Sequence, residues 1–116
     1  MKTRDLRDYL QDILDSIGDI EDFTKNLTYE QFVKDRKTLN AVARSIEVIG
    51  EASKQLPDEL KIKYNTLPWK EITGMRDKLI HAYFGMDTET IWETVHKNIP
   101  TLKQTIQKVL KDQEKL

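Results

Sequence analysis

Three side chains within one short run give this 116-residue sequence its chemical potential: Arg76, His81 and Tyr83. Histidine has an unperturbed pKa suited to proton transfer near neutral pH. Arginine is a permanent planar cation whose paired donors match phosphate or carboxylate oxygens. On a helical wheel at about 100° per residue, with Arg76 as zero, Ile72, Met75, Leu79 and Tyr83 fall at about −40°, −100°, −60° and −20°, and Ile80 near +40°. Arg76 therefore sits inside an apolar stripe, where a guanidinium is costly unless it snorkels or meets an anion. Tyr83 shares that face. His81 falls at about +140°, on the side of Asp77 and Gly74. Asp77 is placed to accept from one imidazole nitrogen and fix its tautomer, and Gly74 removes a side chain that would crowd the ring. One straight helix cannot aim Arg76 and His81 at one small ligand. Either the helix end distorts near Gly85, or a second copy of the protein supplies part of the site.

The elements that must position this run read as helices. From Thr3 to Asn26, Leu6, Leu10, Ile13, Leu14, Ile17 and Ile20 recur at spacings of three and four and form one apolar face, with Gly18 inside it. Thr28 with Gln31 predicts a capping box for a short second helix, packed through Tyr29, Phe32 and Val33. Asp35 caps a helix running to about Leu56, whose seam is Leu39, Val42, Ile46, Ile49 and Leu56. Pro57 ends it, and Asp58 to Tyr64 make one or two short turns. Pro68 opens a helix over Trp69 to Tyr83, stopped by Gly85. Asp87 or Thr88 caps the last helix, with Ile91, Trp92, Val95, Ile99, Leu102, Ile106, Val109 and Leu110 inward. Pro100 predicts a kink there, because it removes a donor and crowds the carbonyl of His96. The tail, 111–116, is polar and expected to fray. The expected fold is all-α: an antiparallel bundle of four to five helices with short connecting helices, one domain spanning residues 1–116.

Composition narrows the function. Hydrophobic residues make up 38% and charged residues 34%, too apolar for a disordered chain. The 19 basic and 20 acidic side chains are interspersed, with no basic stripe of the kind a duplex-DNA binder shows. That balance leaves room for a small pocket holding one or two phosphates. No apolar run is long enough for a membrane span, and the N-terminal residues lack the apolar stretch of a signal peptide, so a cytoplasmic location is expected. Cysteine is absent, which removes thiolate chemistry and Cys-based zinc sites. The two histidines lie 15 positions apart without carboxylates at metal-site spacing, so neither a metal nor a cofactor is expected.

The run Gly74-Met75-Arg76-Asp77-Lys78-Leu79-Ile80-His81-Ala82-Tyr83-Phe84-Gly85 resembles the signature of HEPN-domain proteins. More narrowly it is similar to the HepT toxins: Arg, four residues, His, one residue, Tyr. The likeness extends through Arg4-Asp5-Leu6 to Ile20, Ile46-Glu47-Val48-Ile49-Gly50-Glu51-Ala52, Leu67-Pro68-Trp69, and Ile91-Trp92-Glu93-Thr94-Val95 to Leu102. It implies a helical bundle that forms a homodimer, with the motifs of both protomers lining a shared cleft. It also implies metal-independent cleavage of RNA, tRNA or mRNA, and a partner: an MntA-type nucleotidyltransferase antitoxin that attaches AMP to the motif tyrosine, here Tyr83. The side chains suit such chemistry. His81 would serve as base for a 2′-hydroxyl attacking the adjacent phosphate, and Arg76 would hold the charge that grows on phosphorus. Tyr83 would donate to phosphate or help place the substrate. AMP on its phenol would occupy the phosphate's place.

Without the resemblance, plainer readings stand. Arg76 would be an ion-pair partner of Glu47 or Glu51, His81 a surface or interface histidine, Tyr83 and Phe84 core aromatics, and Asp77 a solvated carboxylate. His96 reads as structural, Trp69 and Trp92 as core or interface anchors. Two alternatives to a toxin ribonuclease follow. One is a non-catalytic helical subunit that presents substrate or nucleotide to a nucleotidyltransferase. The other is a dimerisation module with Arg76 in a buried pair.

Overall fold

The computed structural model describes residues 4–74, 77 and 88–114. Among them all regular structure is helical: α1 (Leu6–Thr24), α2 (Tyr29–Lys34), α3 (Arg36–Lys54), α4 (Asp58–Lys63), α5 (Trp69–Thr73), α6 (Thr88–Glu93), a π turn (Thr94–Asn98) and α7 (Ile99–Glu114). The expected all-α bundle is what forms.

Local capping sets the helix starts. Asp5 accepts from the Asp8 backbone N–H while the Asp8 carboxylate accepts from the Asp5 N–H, a reciprocal box that starts α1 at Leu6 rather than Thr3. Thr28 and Gln31 form the expected box at α2. Asp35 accepts from both the backbone N–H and the hydroxyl of Thr38, at 3.1 and 2.7 Å. These two bonds hold its carboxyl below the usual carboxylate range.

The core is continuous. Leu10, Ile13, Ile17 and Ile20 of α1 meet Val42, Ile46 and Ile49 of α3, all at most 2% exposed. Each such side chain contributes roughly 1.5–3 kcal/mol on burial. α3 is buried more widely than its predicted seam: Ala43, Ser45, Gly50, Ala52 and Ser53 are covered too. The cause is that α3 packs against α1, α2 and α5. Small residues carry little hydropathy signal, so this second covered face was not legible in the periodicity.

Ion pairs fix direction. Arg7 faces Glu114 at 3.9 Å and Lys103 meets Glu21 at 3.0 Å, so α7 runs antiparallel to α1. α7 continues through Glu114, and Asp112 accepts from the Tyr64 hydroxyl, so residues 111–114 are helical rather than frayed.

The expected kink at Pro100 takes another form. Residues Thr94–Asn98 make a π turn, in which the Ile99 N–H reaches back to the Thr94 carbonyl. A one-residue widening just ahead of the proline relieves crowding of the preceding carbonyls where the ladder loses a donor anyway.

Candidate active site

α5 leads into the motif run. Trp69 is 8% exposed and its indole N–H donates to the Tyr64 carbonyl at 3.0 Å. Ile72 is 2% exposed. Packing of α5 against α3 therefore anchors the start of the motif by apolar burial.

The expected continuous helix from Trp69 to Tyr83 does not hold at its beginning. α5 ends at Thr73, and Gly74 takes φ −87° and ψ 1°, outside the helical well. Its N–H still reaches the Lys70 carbonyl at 3.0 Å, and the Asp77 N–H bonds to the Gly74 carbonyl three residues back at 3.1 Å. The wheel relation of Ile72 to Asp77, counted through Gly74, thus does not hold. The neighbours of Gly74 among the described residues are its own turn: a Cβ there would lie 3.1 Å from the Lys70 carbonyl oxygen. Asp77 is helical and exposed. Arg76, His81 and Tyr83, with Gly85 and Asp87, lie outside the described residues.

Beyond the undescribed residues, Thr88 is the first residue of α6. Its half-buried hydroxyl lies 3.2 Å from the Tyr29 hydroxyl of α2, and either group can donate. Behind this contact stands an aromatic group. The Tyr29 ring meets Trp92 edge-on at 5.8 Å, and Phe32, fully buried, meets Trp92 at 5.1 Å. His96 covers Trp92 at 4.1 Å, and its Nδ1 is 2.8 Å from the Trp92 carbonyl, so Nδ1 carries the proton in that bond. Trp69, Trp92 and His96 accordingly have structural settings. The Tyr29–Thr88 contact joins residues 59 positions apart, and no spacing rule points to it.

An open groove of about 390 Å³ lies between the start of α1 and the end of α3, lined in part by Tyr9, Arg44, Val48, Glu51 and Gln55. Arg4 closes one side by pairing with Asp12, donating to the Asp8 carbonyl at 3.3 Å and lying over the Tyr9 ring. Arg44 faces Glu47 at 3.6 Å. The groove carries both signs of charge. Among the described residues no cluster of three His, Asp or Glu side chains has metal-binding geometry, and no helix is long and apolar enough to cross a membrane.

A helical bundle that holds an Arg-x(4)-His-x-Tyr run between two anchored helices defines the HEPN class. Residues 13–109 match the profile described as "Ribonuclease HepT-like", and the chain belongs to that family. It is 48% identical over 114 residues to "Putative RNase MJ1216" of Methanocaldococcus jannaschii, covering 98% of this chain and 94% of that one. "Probable ribonuclease HepT" of Thermococcus cleftensis is 48% identical over 108 residues, 93% of this chain and 98% of its own. A longer M. jannaschii protein, "Gamma-glutamylcyclotransferase and putative RNase MJ0434", is 47% identical over 112 residues, 97% of this chain and 50% of its own length. No solved structure matches the chain.

Proposed function

We propose that this protein is a ribonuclease that cleaves RNA without a metal, using His81 and Arg76, and acts as the toxin of a toxin–antitoxin pair. The observation that carries the reading is the family match over residues 13–109, which contains the complete Arg76-x(4)-His81-x-Tyr83 run. Relatives named as RNases align with it over nearly their full length.

The residue chemistry supports one reaction. His81 takes the proton from an RNA 2′-hydroxyl as the 2′-oxygen bonds to phosphorus. The bond from phosphorus to the 5′-oxygen breaks, that oxygen takes up a proton, and a 2′,3′-cyclic phosphate remains. Arg76 holds the non-bridging oxygens, where charge builds. Asp77 orients the imidazole, and the turn at Gly74 begins the segment that carries all three groups. Two copies form the working unit, their motifs facing one cleft. A nucleotidyltransferase partner neutralises the toxin by placing AMP on Tyr83, where its bulk and negative charge occupy the phosphate position beside Arg76.

The test is cleavage of a labelled RNA in the presence of EDTA. Wild type yields 2′,3′-cyclic phosphate ends, and folded His81→Ala loses at least about a hundredfold in rate, as expected for loss of a general base. A His81→Ala chain that cleaves at the wild-type rate removes His81 from the mechanism. Cleavage that EDTA abolishes removes the metal-free reaction. Mass analysis of the peptide containing Tyr83, after exposure to partner and ATP, tests the neutralisation step.

A further inference from the structure

We infer that the junction of α2 and α3, with Phe23 at the same end of the bundle, is a surface that holds single-stranded RNA by its phosphates and by one stacked base. The identity of this polyanion rests on the ribonuclease reading above. Lys34 closes α2, Arg36 opens α3 and Lys37 follows, so three cations fall within about 11 Å along the backbone. All three are exposed, and none forms a salt bridge among the described residues. Asp35, the one acid in this run, has both carboxylate oxygens engaged by Thr38. The joint is stiff, because Phe32 before it is fully buried and the Leu39 N–H closes on the Asp35 carbonyl at 2.9 Å. The cations are thus presented on a preorganised turn.

Two features point to an anion as occupant. Arg36 and Lys37 stand in the first turn of α3, where free N–H groups and the positive end of the helix dipole disfavour cations, and no acid stands there. Residues that break a local stability rule without a structural partner are where function is expected to show. Charge is also unevenly spread. Residues 4–22 carry seven acidic and two basic side chains, whereas residues 23–40 carry four basic and two acidic ones. Asp8, Asp12, Asp15, Asp19 and Asp22 recur at spacings of four and three and share one side of α1. A polyanion is repelled from that side and drawn to the junction. The start of α1 faces the end of α3 across the groove lined by Tyr9 and Gln55, so the end of α1 comes beside the start of α3. Phe23 therefore stands at the cationic end, 40% exposed. A bare ring near free cations suits a strand whose bases are unpaired, and an acidic peptide offers it no flat partner.

The experiment reads anisotropy of a labelled single-stranded RNA on the full His81→Ala chain. The same chain also carries Lys34→Gln/Arg36→Gln/Lys37→Gln, Phe23→Ala, or Lys108→Gln/Lys111→Gln, which removes two exposed lysines at the other end of the bundle. The triple variant weakens binding at least about tenfold, whatever the RNA sequence, and lowers the slope of log affinity against log salt by about 2. Phe23→Ala weakens binding about fivefold with the slope kept. The Lys108/Lys111 variant stays within about twofold of its parent. With His81 restored, the triple substitution raises KM about tenfold and leaves kcat within about twofold, as for uniform binding. Its urea midpoint equals or exceeds that of wild type, because cations have left a helix start. Unchanged RNA affinity in the triple variant, an equal loss in the Lys108/Lys111 variant, or a lower urea midpoint overturns the inference. So does a triple variant that keeps RNA but loses poly-L-glutamate, which gives the surface to an acidic protein. If wild type itself leaves RNA intact, the ribonuclease reading fails and anisotropy alone decides: binding that the triple variant loses sustains the surface, and absence of binding removes it.

Discussion

Tyr64 shows how a single polar atom can join distant parts of this bundle. It lies at the end of α4, and its hydroxyl donates to Asp112 in the last turns of α7 at 2.5 Å. The bond to Asp112 comes first among the causes that push the phenol up to about 12, with burial and the carboxylate charge adding to it. The folded chain thus binds this proton more tightly than the unfolded chain. The stabilisation is fully present below pH 10.0, the ordinary tyrosine value, and is lost as pH rises towards about 12. Absorbance titration should show one tyrosine ionising near that upper value, and Asp112→Asn should bring it down; a Tyr64 that titrates normally in the folded protein would contradict this geometry. Residue types alone indicated which side chains are capable of chemistry. They did not indicate partners such as Tyr29 with Thr88 or Tyr64 with Asp112, because these contacts close only after the chain folds back over 59 and 48 positions.

At the scale of elements, boundaries were legible wherever a cap is a local sequence event. The box at Thr28 and Gln31, the Asp35 cap and the stop at Pro57 form as their chemistry demands. The break at Gly74 and the π turn at Thr94–Asn98 were less legible, since a glycine within a helical run and a proline in a helix each allow more than one local backbone. Gly18 illustrates a position with slack. It lies in the middle of α1, and a Cβ added there would meet nothing within 4 Å. Gly18→Ala should stabilise the fold by about 1 kcal/mol through helix propensity, measured by urea denaturation. A loss of stability would mean that something covers this face of α1 in solution.

For the whole molecule, periodicity specified the bundle because each long helix must bury one stripe: the inner residues of α1 and α7 are buried except Leu6, Leu14 and Leu110, which are half-buried against the core. Assembly is a different matter: no periodicity in one chain states which surface meets a second copy. The proposed shared cleft has a direct consequence. If a site takes Arg76 from one protomer and His81 from the other, mixing Arg76→Ala with His81→Ala chains after co-refolding should restore about a quarter of wild-type cleavage, because half the dimers are mixed and each regains one of two sites. No recovery would place each site within a single protomer.

The crossed pairing of Arg7 with Glu114 has one more implication, for topology. It brings the first turn of α1 beside the last turn of α7, and Gln11 and Leu110 line the same hollow. The start of the first helix and the end of the last helix thus lie side by side. A host protein could therefore carry this bundle as a loop insertion with only short spacers, joined at the end opposite Asn26, where the chain turns at φ 62°.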